Sequence, residues 1–258
     1  MKLITSRDNA LFKELKQLAT SAQARRKAGT TLLDGVHLCQ SYLQHCGQPQ
    51  WCVVSESSQH HAEVASLLSQ AEHRLILADG LYQVLSQVEH GVGIFFVAQV
   101  PQLVVPPQVT QTAVVLDNLQ DPGNLGSILR SAAAAGIKQI FCSPGTVSAW
   151  SPKVMRAGMG AHFLLEIHEG VDLLELIQHT TIPVLATSSY ATQTVYDCNL
   201  RQAVVWLLGH EGQGLADELM DCATEQLTIP HQGAIESLNV AACAAICFFE
   251  QVRQNLAQ

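Results

Sequence analysis

Residues 116–140 read LDNLQDPGNLGSILRSAAAAGIKQI. The stretch begins as the end of a buried strand and finishes as a packed helix. Between the two lie Asp121, Pro122, Gly123 and Asn124, residues with the composition of a turn, and then Gly126. One arginine, Arg130, interrupts an otherwise small and apolar helix face. A strand leading through a polar turn into a helix is the building block of α/β sheets. In such sheets ligands lie beyond the carboxyl ends of the strands.

The alternation continues on both sides. Residues 137–143, 163–169, 182–189, 203–209 and 224–230 read as strands, and 151–163 and 172–180 as helical segments. A long helix, apolar on most faces, follows from 237. The strands are continuous runs of Val, Leu and Ile, as in a parallel sheet buried on both faces. Upstream, Leu11, Leu15 and Leu18 predict a helix from about 8 to 27, with Gly29 as its stop. Strands at 30–35, 51–56, 74–78 and 93–100 alternate with helices at 36–46, 60–72 and 79–88. Residues 101–111, PQLVVPPQVTQ, hold three prolines and read as a stiff linker. The expected organisation is therefore a small α/β domain over 1–100, a linker over 101–111 and a second α/β domain over 112–258.

Composition narrows the function classes. The chain has 258 residues, close to half of them hydrophobic, which suits two small domains with real cores. No apolar run reaches the roughly 18–20 residues of a membrane span, and the N-terminus lacks the apolar core of a signal peptide. A cytoplasmic protein without a membrane span is expected. Eight cysteines include no CxxC pair, so reduced, packed thiols and no structural metal are expected. The net charge of −8 is uneven: residues 1–111 hold eight basic and eight acidic side chains, and 112–258 hold six and fourteen. Lys13, Lys16, Arg25, Arg26 and Lys27 cluster early, which fits either a solvated helix face or a surface for a polyanion.

Three strand ends carry unusual residues: DNLQDPGNLGSILR (117–130), LLGHEGQGL (207–215) and TIPHQGAIESLNVAACAAI (228–246). Singly, each reads as a turn. The second is neither a P-loop nor a dinucleotide fingerprint, which excludes a nicotinamide-dependent oxidoreductase built on that motif. Together, in this order, they resemble the SpoU (TrmH) family of RNA ribose 2′-O-methyltransferases, of the knotted SPOUT class. The family pattern D…DPxNxGxxxRxAxxxG is met by Asp117, Asp121, Pro122, Asn124, Gly126, Arg130, Ala132 and Gly136. GxEGxG is met by Gly209, Glu211, Gly212 and Gly214. IPMxGxxxSLNVxxAxxI is met by Ile229, Pro230, Gly233, Ser237, Leu238, Asn239 and Val240. Two residues depart from it: His210 stands where many members have Asn or Ser, and His231 where Met is usual. The N-terminal part looks like the substrate-binding domain with a fold like ribosomal protein L30e that often accompanies this family.

The resemblance implies a C-terminal trefoil-knotted SPOUT domain with a mostly parallel sheet, knotted around 205–250. A smaller N-terminal L30e-like α/β domain precedes it. It implies S-adenosylmethionine as methyl donor, held by backbone groups of Gly209, Ile229 and Leu238, and a ribose 2′-hydroxyl as acceptor. The RNA is ribosomal or transfer RNA, with Lys13, Lys16, Arg25, Arg26 and Lys27 as its contacts. Arg130 stays charged and its planar fork suits the phosphate beside the target ribose. Asn124 holds Arg130 or the ribose, and Glu211 fixes Arg130 by a charge-assisted hydrogen bond. Ser237 and Asn239 cap the last helix or face the acceptor. A homodimer through the C-terminal domain is expected, since helix 237–252 is too apolar for solvent. A non-catalytic RNA-binding protein on the same fold is the alternative, against which the complete motifs stand.

Overall fold

The computed structural model describes residues 2–86 and 91–256. The chain divides into two compact units, one of residues 1–102 with 150–163, the other of 103–149 with 164–258.

The first unit contains β1 (Lys2–Ile4), α1 (Ala10–Thr20), α2 (Ala22–Ala28), β2 (Thr30–Asp34), α3 (Val36–His45), β3 (Trp51–Ser55), α4 (Ala62–Gln70), β4 (Arg74–Leu77), α5 (Asp79–Leu85) and β5 (Ile94–Gln99). Its strands lie in the order β1-β4-β3-β5-β2. β4 is parallel to β1 and β3, and β5 is antiparallel to β2 and β3. Phe12, Leu15 and Leu18 come round to one face of α1 and pack on Leu32, Val53, Leu75 and Phe95 of the sheet.

The single helix expected from 8 to 27 is two helices. Ser21 separates them in extended conformation, at φ −119° and ψ 117°. Its hydroxyl accepts the Ala24 N–H at 3.1 Å and its own N–H reaches Gln17 O, so one serine closes α1 and caps α2. β1 is an addition that the amphipathic N-terminus did not announce. Positions 87 and 88 of the helix expected over 79–88 lie outside the described residues.

The second unit contains β6 (Ala113–Leu116), α6 (Pro122–Ala134), β7 (Gln139–Cys142), β8 (Glu166–Glu169), α8 (Leu173–Gln178), β9 (Val184–Thr187), β10 (Gln193–Thr194), β11 (Val205–Leu208), α9 (Asp217–Asp221), β12 (Glu225–Thr228) and α10 (Val240–Leu256); α7 (Pro152–Gly158) belongs to the first unit. Among the described residues the sheet order is β10-β12-β9-β11-β6-β7-β8, with every pairing parallel. β11 and β6 are buried along their whole length, which accounts for their unbroken apolar sequences. α10 packs against α6, and the fully buried Trp206 of β11 donates its indole N–H to Gln251 of α10 at 2.9 Å. Because the strands are parallel, the carboxyl ends of β6, β9, β11 and β12 open on one edge. β10 and α9 were not foreseen; both are short, and neither has the periodicity of a longer element.

The segment 150–163 departs from the expected boundaries of 1–100, 101–111 and 112–258. α7 packs on β2, Thr31 Oγ1 donates to the Trp150 carbonyl at 2.7 Å, and Phe163 meets Tyr42 edge-on at 5.4 Å. These apolar and hydrogen-bonding partners assign it to the first unit although it is distant in sequence.

Candidate active site

The turn after β6 is built by Asp121. Its carboxylate caps α6 by accepting the Asn124 N–H at 2.8 Å, and Pro122 follows where no amide donor is required. Leu125, Ile128, Leu129 and Ala132 bury one face of α6, leaving Arg130 exposed on the other.

The turn after β11 closes on itself. His210 N–H bonds Gly214 O and Gly214 N–H bonds His210 O, both at 2.9 Å. A β-carbon on Gly209 would collide with the backbone of Gly214 and Leu215, so only glycine fits there. Gly214 has a φ of +75°, which favours glycine again. His210 Nδ1 lies 2.9 Å from the Gly212 nitrogen and 3.1 Å from that of Gln213.

Glu211 reaches from this turn to the first. Its carboxylate accepts the N–H groups of Gln120 at 3.2 Å and Asp121 at 3.0 Å, and Nδ2 of Asn124 at 3.1 Å. Asn124 Oδ1 accepts Nδ2 of Asn239 at 2.8 Å. Asn239 Oδ1 in turn accepts the N–H groups of Ala241 and Ala242 at the start of α10, at 2.9 and 3.3 Å. One relay therefore ties the three motifs. Partial burial pushes the Glu211 carboxyl up, but the hydrogen bonds from Asn124 and from backbone N–H groups outweigh it and hold it below the ordinary carboxylate range.

Two expected roles are corrected by this geometry. Among the described residues no hydrogen bond joins Glu211 to Arg130; the carboxylate is taken up by Gln120, Asp121 and Asn124. Asn124 is likewise engaged with Glu211 and Asn239 and does not hold Arg130. Of the two candidate caps for α10, Asn239 makes the cap bonds, while Ser237 lines a cleft.

That cleft has a volume of about 640 Å³ and lies within the second unit. Gly209, Glu211, Ile229, Ser237 and Leu238 line it, so the three expected cofactor holders meet at one place. Arg130, Asn124 and Asn239 are not among its lining residues. Thr187, Ser188 and Tyr190 at the end of β9, and Cys243 of α10, also line it and were not singled out in the sequence. The signal for the β9 residues is that IPVLATSS ends a strand of the same parallel sheet; Cys243 gave no signal.

Of the five basic residues expected to meet RNA, Lys13, Lys16, Arg26 and Lys27 are exposed on α1 and α2. Arg25 is buried, and its Nη1 donates to the Leu18 carbonyl at 2.8 Å, satisfying the end of α1. It serves the fold and offers no free guanidinium to a phosphate.

Among the described residues no helix is long and apolar enough to cross a membrane. The signature of the family described as SpoU rRNA Methylase matches residues 111–249. A Synechocystis protein described as a tRNA/rRNA methyltransferase is 32% identical, the match covering 98% of this chain and 94% of that protein. The Bacillus subtilis 23S rRNA (guanosine(2553)-2′-O)-methyltransferase RlmP is 26% identical, over 96% and 98% of the two chains. Among solved structures, an RNA 2′-O ribose methyltransferase superposes with a TM-score of 0.83 at 29% identity, covering 99% of this chain and all of that one. An AdoMet-bound rRNA methyltransferase from Sinorhizobium meliloti gives a TM-score of 0.83 at 26% identity, over 98% and 97% of the chains. With motif order, parallel sheet and cleft in agreement, the chain belongs to the SpoU rRNA Methylase family.

Proposed function

We propose that this protein transfers a methyl group from S-adenosylmethionine to a ribose 2′-hydroxyl of ribosomal RNA. The observation that carries this reading is the relay from Glu211 through Asn124 to Asn239, which draws three motifs to the rim of one cleft. The cleft suits the cofactor: Gly209, whose missing side chain lets the turn close against Gly214, lines it, and Ile229 and Leu238 border the same space. When bound, S-adenosylmethionine supplies an electrophilic methyl group. Backbone groups of Gly209, Ile229 and Leu238 hold it, and Ser237 faces the acceptor from the cleft wall.

Arg130 keeps its charge, and its fork grips the phosphate beside the target ribose. That grip orients the 2′-oxygen and offsets the charge developing on it. Asn124, Glu211 and Asn239 fix the turns from which these groups project. Ribosomal RNA is favoured because RlmP of Bacillus subtilis and RlmB of Bordetella pertussis, each matched over most of this chain, are 23S rRNA 2′-O-methyltransferases by name.

The first unit is the RNA-docking part, an L30e-like domain presenting Lys13, Lys16, Arg26 and Lys27. The second is a trefoil-knotted methyltransferase domain, supported by β12 lying between β9 and β10 and by the return of α10 onto α6. Two copies associate through the second unit, where α10 leaves Phe249 47% and Leu256 80% exposed two turns apart on one side of the helix. The enzyme works in the cytoplasm. The test is transfer from labelled S-adenosylmethionine to ribosomal RNA, joined to a map of ribose methylation in cells with and without the protein. Transfer to one position that is unmethylated in cells lacking the protein is expected. No transfer and an unchanged map would refute the reading.

A further inference from the structure

Two histidines, His210 and His231, stand on turns that line the cleft, and the function proposed above gives neither a role. Their rings face opposite kinds of hydrogen-bonding group. His210 Nδ1 lies 2.9 Å from Gly212 N and 3.1 Å from Gln213 N. Both partners are N–H donors, so this nitrogen must be bare and accept from them. His231 has Nδ1 3.1 Å from the Ile229 carbonyl oxygen and Nε2 2.9 Å from that of Ile235. Both of its partners are acceptors, so the ring meets both only with a proton on each nitrogen.

We propose that His210 is a positioning residue of the cofactor turn, tying it through bare Nδ1, and that protonation there loosens the turn and weakens S-adenosylmethionine binding. The imidazole does what a short side-chain oxygen does in an Asx or Ser/Thr turn, accepting backbone N–H groups two and three residues on. This explains how histidine occupies a position where Asn or Ser resembles the family pattern better. Unlike those oxygens, Nδ1 takes up a proton, and then presents a third donor to two donors. The turn it ties is the one that brings Gly214 against Gly209.

The other titratable groups lining the cleft are Tyr190 after β9, Glu211 on the same turn, His231 and Glu236 after β12, and Cys243 on α10. Glu211 is committed to Gln120, Asp121 and Asn124. His231 faces two carbonyl oxygens and ties no N–H group of the turn after β11. Cys243, whose thiol is held below its ordinary value by the hydrogen bond from Cys247, is shared by wild type and His210→Asn, so the difference between those two proteins reports His210.

The inference rests on the cofactor reading of this cleft. Its test is the dissociation constant of S-adenosylmethionine, measured calorimetrically at about pH 8 and about pH 5.5, across which imidazoles change protonation. Full-length wild type, His210→Asn and His210→Ala are compared, with thermal melts to confirm folding. His210→Asn restores an oxygen acceptor, so wild-type affinity should fall about tenfold further than that of His210→Asn between the two pH values. His210→Ala should bind weakly at both. Equal pH slopes for wild type and His210→Asn, or full affinity in His210→Ala at about pH 8, would overturn the inference while leaving the cofactor reading intact. No binding by wild type at about pH 8 would overturn both.

Discussion

The first unit carries ten basic and eight acidic side chains, a net of +2, whereas the second carries four and fourteen, a net of −10. Their sheets differ as well, mixed in the first and, among the described residues, wholly parallel in the second. The parallel sheet gathers its turns along one edge and so makes a cleft, but its acidic surroundings repel a polyanion. The first unit has basic residues to attract one. On the function proposed above, binding RNA and holding a cofactor are divided between units of opposite charge, and Arg130 is one of four Lys and Arg residues on the acidic side.

The sharpest way to break this comparison is at Arg130. Arg130→Lys keeps the charge and loses the fork, so single-turnover methyl transfer should fall about 100-fold, nearly as far as in Arg130→Ala. The dissociation constant of S-adenosylmethionine should not change. Near-normal transfer by the lysine variant would reduce Arg130 to a mere charge on an acidic unit.

Next comes the basic surface. Replacing Lys13, Lys16, Arg26 and Lys27 together by alanine should weaken RNA binding by tenfold or more and flatten its salt dependence, by about 0.7–0.9 in slope for each phosphate no longer neutralised. Arg25→Ala should behave differently. It removes a charged donor to the Leu18 carbonyl, so it should lower the stability of the first unit by about 2 kcal/mol, read by denaturant melting, with a smaller loss of salt dependence. A pure affinity loss in Arg25→Ala would return it to the RNA surface.

A smaller effect is expected at Asn239. Asn239→Ala removes the cap of α10 and should cost about 1 kcal/mol in a thermal melt. Asn239→Asp retains the cap oxygen but sets a carboxylate against Asn124 Oδ1, so it should keep stability and lose methyl transfer. If both variants lose only stability, the relay is a fold device and not part of the site.

The smallest effect belongs to His168, buried on β8 and stacked on Phe141 at 4.9 Å, with neither ring nitrogen hydrogen-bonded among the described residues. Burial lowers its pKa below the ordinary imidazole value, against the opposing pull of Glu166. The unfolded chain then binds a proton that the folded one refuses, so stability is full above about pH 6.5 and falls as the pH drops, levelling off below the folded value. His168→Phe should flatten that acid slope in pH-dependent melts of the second unit. An unchanged slope would assign the acid sensitivity elsewhere.

Unbroken apolar strands, such as 113–116 (AVVL) and 205–208 (VWLL), were legible because burial on both faces favours apolar residues throughout. The glycines at 209 and 214 were legible as a turn because close backbone approach and positive φ exclude side chains. Ser21 was not, since a serine within an amphipathic run gives no sign whether it will cap or continue a helix. Arg25 was misread for a related reason: three consecutive basic residues look alike until the helix rotates one of them inward.

The sequence by itself determined most of the longer elements, the three strand-end motifs and the family, because local periodicity and the demands of tight turns act over a few residues; β1, β10, α9 and the break at Ser21 escaped it. Only the tertiary structure decided that 150–163 joins the first unit, that Glu211 holds Asn124 and not Arg130, and that Asn239 rather than Ser237 caps α10. Each of these depends on which hydrogen-bonding groups meet across many residues of chain. Donor and acceptor types can be read from a sequence; the distances between them exist only after the sheet has brought its turns to one edge.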